Sequence, residues 1–266
     1  MKKKIRPLIK CHGGKYYLSN WVIENFPEDY QEMTYCEPYL GGGSVFLNKE
    51  PSKTEIINDI DNKVVSIFKA LRDEPGELTG RLKRTKYKEE TFNRALKKEE
   101  FEDYIDLAIT EITLRRMSRG GMKEAFSWSK RLRGGKPGDE NAWETYLEQL
   151  PLSAARVEKA HIFNKKAEEI IKIWDGPNTL MYLDPPYLST TRSAPNVYEN
   201  EMSIDDHISL SETINNSKSY IILSGYPSSL YNRLYKDWNC IKKEIVNHSS
   251  QKKTKSKKVE CIWMNF

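Results

Sequence analysis

The sequence predicts an α/β protein built on a parallel, doubly wound β-sheet. Three observations lead to this prediction: a strand pattern before a glycine-rich turn near residue 40, a second strand pattern ending in an acid at residue 59, and the return of alternating strand and helix signals after residue 179. Strands that alternate with helices are typical of parallel sheets, because the helices supply the crossover connections. A chain of 266 residues is long enough for one large domain that carries an insertion.

The first half of the sheet is predicted between residues 34 and 71. Thr34–Glu37 has the pattern of a short strand, Pro38–Ser44 that of a tight glycine-rich turn, and Val45-Phe46-Leu47 that of the start of a helix. A second strand, Glu55–Asp59, precedes a helix whose apolar positions lie between residues 64 and 71. This order predicts neighbouring parallel strands.

The middle of the chain has a different character. From about Asp73 to about Glu158 the charge density rises and helical patterns such as Phe101–Leu114 dominate, while Ser118–Gly138 is rich in Gly, Arg and Ser. We therefore predict an inserted, mainly helical lobe at residues 73–158, with residues 1–72 and 159–266 forming the domain that contains the sheet.

Strand signals return at Thr179–Leu183, which runs into Asp184-Pro185-Pro186-Tyr187, where two prolines must end the strand ladder. The further predicted elements are a helix capped by Ser203 with Asp206, a strand at Tyr220–Leu223, a short helix at Ser228–Tyr235, and a terminal β-hairpin of Ile241–Val246 with Val259–Phe266.

Charge balance and residue spacing argue against a metal site, a disulfide framework and a membrane segment. Lys and Arg exceed Asp and Glu by only 43 to 38, so net charge alone is a weak argument for nucleic acid. No CxxC or Cys/His spacing typical of a metal site or a disulfide framework occurs, and no long apolar run follows the basic start. We expect no metal, no membrane segment, and a cytosolic protein with reduced thiols. The residues concerned are Cys11, Cys36, Cys240, Cys261, His12, His161, His207 and His248.

Three acids, Glu37, Asp59 and Asp184, fall at predicted strand ends, where ligands bind to open α/β sheets. They suggest one crevice. Gly41-Gly42-Gly43 would let a ligand approach the backbone closely, although Phe46 occupies the third glycine place of a dinucleotide-binding motif. Asp59 suits hydrogen bonds from ribose hydroxyls, and the alternative is that it only caps the following helix.

The stretch Asp184-Pro185-Pro186-Tyr187 suits an amino group on an aromatic ring. The prolines lack N–H donors and fix their carbonyls, so Asp184 and the Pro185 carbonyl can accept both amino hydrogens while Tyr187 stacks on the ring. The alternative is a tight proline turn with a surface tyrosine.

With these motifs, the sequence resembles the D12 class of DNA N6-adenine methyltransferases, particularly the phage-type DNA adenine methylases. The resemblance covers nearly the whole chain. Its motifs are residues 10–15 (KCHGGK), Glu37-Pro38-Tyr39 to Phe46-Leu47-Asn48, Asn58-Asp59-Ile60-Asp61, Asp184-Pro185-Pro186-Tyr187, Ser224-Gly225-Tyr226-Pro227 and residues 260–265 (ECIWMN).

This resemblance implies a Rossmann-like S-adenosylmethionine-dependent methyltransferase fold with a terminal antiparallel hairpin and an inserted DNA-recognition lobe. It also implies direct in-line methyl transfer to an adenine flipped out of double-stranded DNA, because a paired adenine cannot reach such a pocket. The implied catalytic residues are Asp184, Pro185, Pro186 and Tyr187. The implied S-adenosylmethionine contacts are Cys11, Lys15, Glu37, Pro38, Tyr39, Gly41, Gly43, Ser44, Asp59 and Asp184.

Candidates for DNA contacts in the inserted lobe are Arg115, Arg116, Arg119, Lys123 and Lys130. The lysine-rich Lys252–Lys258 stretch is a further candidate for backbone contact, or else a solvated hairpin tip. At two positions the chain differs from the family pattern: Cys11 stands where an aromatic residue is frequent, and Lys166 where an acid is frequent.

Two alternative functions stay open at this point: a DNA cytosine-N4 methyltransferase, since the same clamp can hold any exocyclic amine, and a non-catalytic DNA-binding regulator of the same fold. A restriction endonuclease partner is also an open alternative. We expect the protein to act in the cytoplasm of a bacterial or phage-infected cell.

Overall fold

The computed structural model describes residues 4–11, 13–129, 131–133, 135–192, 199–246 and 257–266. Contacts within the chain divide it into two compact units. Unit 1 comprises Met1–Asn25, Leu40–Pro51 and Asp59–Asn164, and unit 2 comprises Phe26–Tyr39, Ser52–Asn58 and Lys165–Phe266. The predicted lobe boundaries at residues 73 and 158 stay a prediction.

Within the described ranges, the α-helices are α1 (Ser19–Ile23), α2 (Asn62–Asp73), α3 (Pro75–Arg84), α4 (Glu89–Leu96), α5 (Tyr104–Met117), α6 (Gly138–Val157), α7 (Ala167–Trp174), α8 (Ile204–Asn215) and α9 (Ser229–Leu234). The strands are β1 (Thr34–Glu37), β2 (Thr54–Asn58), β3 (Leu132–Arg133), β4 (Lys136–Pro137), β5 (His161–Phe163), β6 (Thr179–Leu183), β7 (Tyr220–Gly225), β8 (Asn239–Val246) and β9 (Lys257–Met264). Short 3₁₀ turns lie at Tyr30–Glu32, Arg119–Gly121 and Ser189–Thr191. None of these helices is both long and apolar enough to cross a membrane.

Unit 2 contains six strands of the main sheet, in the order β2-β1-β6-β7-β9-β8. The first four are parallel, and Cys36 of β1 pairs with Ile56 on one side and Met181 on the other. Every residue of β6 is buried, as expected for a parallel strand covered on both faces. The predicted parallel sheet is therefore confirmed.

The terminal hairpin is also confirmed. β8 and β9 pair antiparallel over eight residues, from Asn239 with Met264 to Val246 with Lys257. β9 joins the parallel strands by pairing antiparallel with β7, where Gly225 lies opposite Cys261. The last parallel strand is thereby covered by the hairpin rather than left as a free sheet edge.

Helices dominate unit 1. α2 packs against α5, and α6 packs against α2 and α3. Most of the side chains in α5 are buried, including the carboxylates of Asp106 and Glu111. Asp106 is held by Lys98 and Arg81, so its burial is compensated by opposite charge.

The helix predicted to start at Val45 is wrong. Residues 44–48 instead form a run of turns in which the Leu47 amide donates to the Gly43 carbonyl at 2.9 Å. The side chain of Asn48 accepts from the Ile5 amide at 2.9 Å and donates to the Ile5 carbonyl at 2.8 Å. This distant contact favours the turns, and Pro51 lacks the amide that a longer helix needs.

Candidate active site

In unit 2, two acidic residues lie at the carboxyl ends of neighbouring strands of the sheet. Glu37 is the last residue of β1, and Asp184 follows the last residue of β6. Because β1 and β6 are parallel neighbours, their carboxyl ends meet at one edge. The charges of both acids reach the buried Tyr182. Burial raises the pKa of its hydroxyl well above the ordinary value, and the charges of Asp184 and Glu37 raise it further.

The turn after β1 is fixed by buried side chains. Glu37 accepts a hydrogen bond from the Tyr35 hydroxyl at 2.6 Å. The amide of Asn58, which is fully buried, donates to the carbonyls of Pro38 at 2.9 Å and Lys165 at 3.0 Å, and its oxygen accepts from the Lys165 amide. The Glu37-Pro38 turn is therefore held by contacts within unit 2.

The Asp184-Pro185-Pro186-Tyr187 stretch follows β6 as irregular chain. Asp184 and Pro186 are half-buried, Pro185 is buried, and Tyr187 is only 4% exposed. The Tyr187 hydroxyl donates to Glu260, and the Tyr187 and Tyr226 rings meet edge to face with centroids 4.8 Å apart. Burial, then the charges of Asp184 and Glu260, raise the pKa of Tyr187 well above its ordinary value, so the hydroxyl stays protonated.

In unit 1, the glycine-rich turn approaches other groups closely. Gly43 has φ +66°, and a Cβ there would lie 2.8 Å from the Phe68 ring. Gly41 has φ +50°, and its amide donates to Asp59 Oδ2 at 2.8 Å. Both positions favour glycine, Gly41 for its conformation and Gly43 also for lack of space.

Asp59 links this turn to the residues after β2. Its Oδ1 accepts from the Asp61 amide at 2.9 Å, while Oδ2 accepts from Gly41. Burial raises the pKa of Asp59 to about 6, although both backbone hydrogen bonds act in the opposite direction. Asp61, rather than Asp59, caps α2, since its side chain accepts from the Lys63 amide. The alternative that Asp59 only caps the helix is therefore wrong.

The sequence profile of the D12 class N6 adenine-specific DNA methyltransferases matches residues 12–252 of the chain. The chain belongs to this family. It is 26% identical over 286 residues to the Type II methyltransferase M1.LlaDCHI of Lactococcus lactis subsp. cremoris, covering 100% of this chain and 97% of the relative. It is 24% identical over 243 residues to a DNA adenine methylase of Vibrio cholerae serotype O1, covering 88% and 86%. It is 22% identical over 289 residues to the Type II methyltransferase M.MjaIII of Methanocaldococcus jannaschii, covering 99% and 100%.

The remaining positions implied for the cofactor of this D12 methyltransferase are held as follows. Cys11 is half-buried, and a Cβ on Gly41 would lie 4.0 Å from its sulfur. Burial raises the pKa of Cys11 to about 12, so it is a thiol at neutral pH. The Lys15 ammonium is buried and donates to the Gly13 carbonyl at 2.9 Å. Ser44 is buried in unit 1, and Tyr39 is half-buried in unit 2.

The two neighbouring arginines in α5 of the D12 methyltransferase have different partners. Arg116 turns inward: it donates to the Pro7 and Leu8 carbonyls, and its guanidinium lies 4.1 Å from the Tyr146 ring centroid. Arg115 pairs with Glu111 at 2.6 Å. Arg116 therefore anchors the N-terminal segment.

The other predicted DNA contacts lie in or near the 3₁₀ turn after α5. Lys123 pairs with Glu111 at 3.2 Å, whereas Arg119 is exposed on the turn. Lys130 and residues 252–256 lie outside the described residues. Lys258 is described, with its ammonium 5.0 Å from the Tyr226 ring centroid. Among the residues that the structure describes, no group of three or more His, Cys, Asp or Glu side chains is arranged to hold a metal ion.

Sequence reasoning missed two roles. Asn58 belongs to a quoted motif, but its hold on Pro38 and Lys165 depends on two loops far away in sequence. Glu260 also belongs to a motif, and its bond to Tyr187 spans 73 residues. The signal that favours Glu260 is an acid at a buried position of a strand, which is rare without a partner.

Proposed function

We propose that this D12 methyltransferase transfers a methyl group from S-adenosylmethionine to N6 of an adenine flipped out of double-stranded DNA. The observation that carries the proposal is the Asp184-Pro185-Pro186-Tyr187 stretch, which follows β6 at the sheet edge where β1 ends in Glu37. Membership of the family favours adenine over cytosine as the target.

The residues of unit 1 fit the chemistry of S-adenosylmethionine. Asp59 offers carboxylate oxygens as acceptors for ribose hydroxyls, and each oxygen retains a lone pair beyond its one backbone hydrogen bond. The bend at Gly41, with positive φ and no Cβ, leaves backbone open to a ligand. When bound, the cofactor supplies an electrophilic methyl group on a positively charged sulfur. We propose that the cofactor contacts include Cys11, Lys15, Glu37, Pro38, Tyr39, Gly41, Gly43, Ser44, Asp59 and Asp184.

In unit 2, the proline stretch would hold the amino group of the target base. Asp184 and the Pro185 carbonyl accept its two hydrogens, which draws the nitrogen towards tetrahedral geometry and frees its lone pair for attack. Neither proline has an N–H that would compete as a donor. Tyr187 offers a flat ring for stacking, which offsets part of the cost of flipping.

For DNA contact, we propose Arg119, which is exposed on the turn that follows α5. Arg115 and Lys123 flank the buried Glu111 and would act mainly by shaping this turn. Lys130 remains a candidate from the sequence. Because the substrate is DNA, we expect the enzyme to act in the cytoplasm of a bacterial or phage-infected cell.

The test is incubation of the purified protein with unmethylated genomic DNA and S-adenosylmethionine, followed by mass spectrometry of the released nucleosides and mapping of the modified bases. N6-methyladenine supports the proposal, and its sequence context reveals the selectivity. N4-methylcytosine would overturn the target, while DNA binding without any methylation would favour a non-catalytic regulator.

A further inference from the structure

We propose that Glu260 is a positioning residue for the methylation reaction: through the Tyr187 hydroxyl, it holds the ring on which the flipped adenine stacks. This inference rests on the proposed function. It concerns the strand β9, to which we assign no part in binding the cofactor or the amino group.

Tyr187 needs such a support because its backbone is irregular. It lies after two consecutive prolines, outside the ladders of the sheet, and before the 3₁₀ turn at Ser189–Thr191. Its side chain is nevertheless buried, with the ring against Tyr226 and the hydroxyl on Glu260. Side-chain contacts therefore contribute much of what orients this ring.

Glu260, by contrast, is fixed by the sheet. It lies within β9 and pairs with Lys243 of β8. The next residue, Cys261, pairs with Gly225 of β7 and with Lys242 of β8, so β9 is bound on both sides at this point. The Glu260 side chain is 2% exposed. A hydrogen bond from Tyr187 to Glu260 thus ties an irregular segment to a strand that is paired on both sides at the next residue.

The chemistry of the pair suits this role. An ionised carboxylate only accepts hydrogen bonds, and a tyrosine hydroxyl next to it donates; a bond of this kind is stronger than one between neutral groups. Burial and the neighbouring acids keep Tyr187 protonated as the donor. A ring held in one orientation before DNA binds loses less conformational freedom when the base stacks on it, so flipping becomes more favourable.

The experiment compares Glu260→Ala and Glu260→Gln with Asn265→Ala. Glutamine keeps an acceptor oxygen for the tyrosine. Asn265 is a matched control just beyond the end of β9: its side chain accepts from the Ile221 amide at 2.8 Å and donates to the Ser219 carbonyl at 2.9 Å, at the start of β7 rather than at its end. Two DNAs are used, one with the target adenine paired and one with it opposite an abasic site, where flipping costs little. A third duplex carries 2-aminopurine at the target position, whose fluorescence rises when it leaves the stack.

For Glu260→Ala we expect single-turnover methylation to fall about tenfold on paired DNA but less than about threefold on the unpaired adenine, with a loss of the 2-aminopurine signal. Glu260→Gln should recover most of the methylation of paired DNA and most of the 2-aminopurine signal. Asn265→Ala should change the methylation rate by the same factor on the two DNAs. In a Tyr187→Phe background, Glu260→Ala should change methylation less than about twofold, because the hydroxyl through which Glu260 acts is gone.

An equal loss on both DNAs, or a Glu260→Ala variant that matches Asn265→Ala, would overturn the role of Glu260. If Glu260→Ala does not fold, Tyr187→Phe decides the question, because it removes the hydroxyl and leaves Glu260 in place: an equal loss on both DNAs would refute the link. A wild-type protein that makes no N6-methyladenine refutes the proposed function instead, so the two failures are distinguishable.

Discussion

Replacement of Arg116 by methionine separates a structural arginine from one that binds DNA. In unit 1, Arg116 donates to the carbonyls of Pro7 and Leu8 and stacks on Tyr146. Lys10 extends the same arrangement, since its ammonium donates to the Arg116 carbonyl at 2.8 Å. Methionine retains the apolar stem of the side chain and removes only the guanidinium.

The magnitude follows from these contacts. Each buried carbonyl that loses its donor costs about 1–3 kcal/mol. A desolvated cation–π contact adds about 1–2 kcal/mol. Since the N-terminal segment can relax in part, we expect Arg116→Met to lower the free energy of unfolding by about 3–5 kcal/mol. DNA affinity, measured at a temperature where the variant is folded, should change less than the stability.

The assay is urea unfolding followed by circular dichroism, paired with DNA binding at several salt concentrations. The matched control is Arg119→Met, on the exposed turn three residues further on. That control should keep the free energy of unfolding within about 0.5 kcal/mol. It should also reduce the salt dependence of DNA binding by about one phosphate contact. An Arg116→Met protein that is as stable as the wild type but has lost DNA binding would refute this reasoning.

Two further predictions concern unit 1. Because the pKa of Asp59 is about 6, its carboxylate becomes protonated as the pH falls through that value and no longer accepts from ribose hydroxyls. Calorimetry should find that S-adenosylmethionine binds about tenfold more weakly at pH 5 than at pH 7, and that its affinity for Asp59→Asn does not change with pH. Equal pH dependence in the two proteins would contradict the assignment. Gly121→Ala should lower the free energy of unfolding by at least about 2 kcal/mol more than Gly135→Ala. Both glycines have φ +79°, but only at Gly121 would a Cβ meet the backbone, because it would lie 2.2 Å from the Lys10 carbonyl oxygen. Equal losses in urea unfolding would show that the close approach does not matter.

Local signals in the sequence predicted the elements that local physics decides. β1 begins and ends at the predicted residues, and the predicted cap of α8 is confirmed by the two backbone-to-side-chain hydrogen bonds of the capping box formed by Ser203 and Asp206. These features depend on residues a few positions apart, so apolar periodicity and capping residues suffice to find them.

The failures depend on contacts between residues that are distant in sequence. The helix predicted at Val45 gives way to turns because Asn48 bonds with Ile5, 43 residues earlier. A cluster of basic residues did not reveal that Arg116 points inward to carbonyls more than 100 residues away. The motif that contains Tyr187 predicted a stacking ring, but its support by Glu260 required the pairing of β9 with the sheet.

The central claim is that Asp184 receives the amino group of the target adenine, and single-turnover methylation by Asp184→Ala tests it most directly. We predict methyl transfer slower by about a thousandfold or more. S-adenosylmethionine binding, measured by calorimetry on the same protein, should weaken by no more than a few fold. Methylation at close to the wild-type rate, with the variant folded and the cofactor bound, would contradict the account.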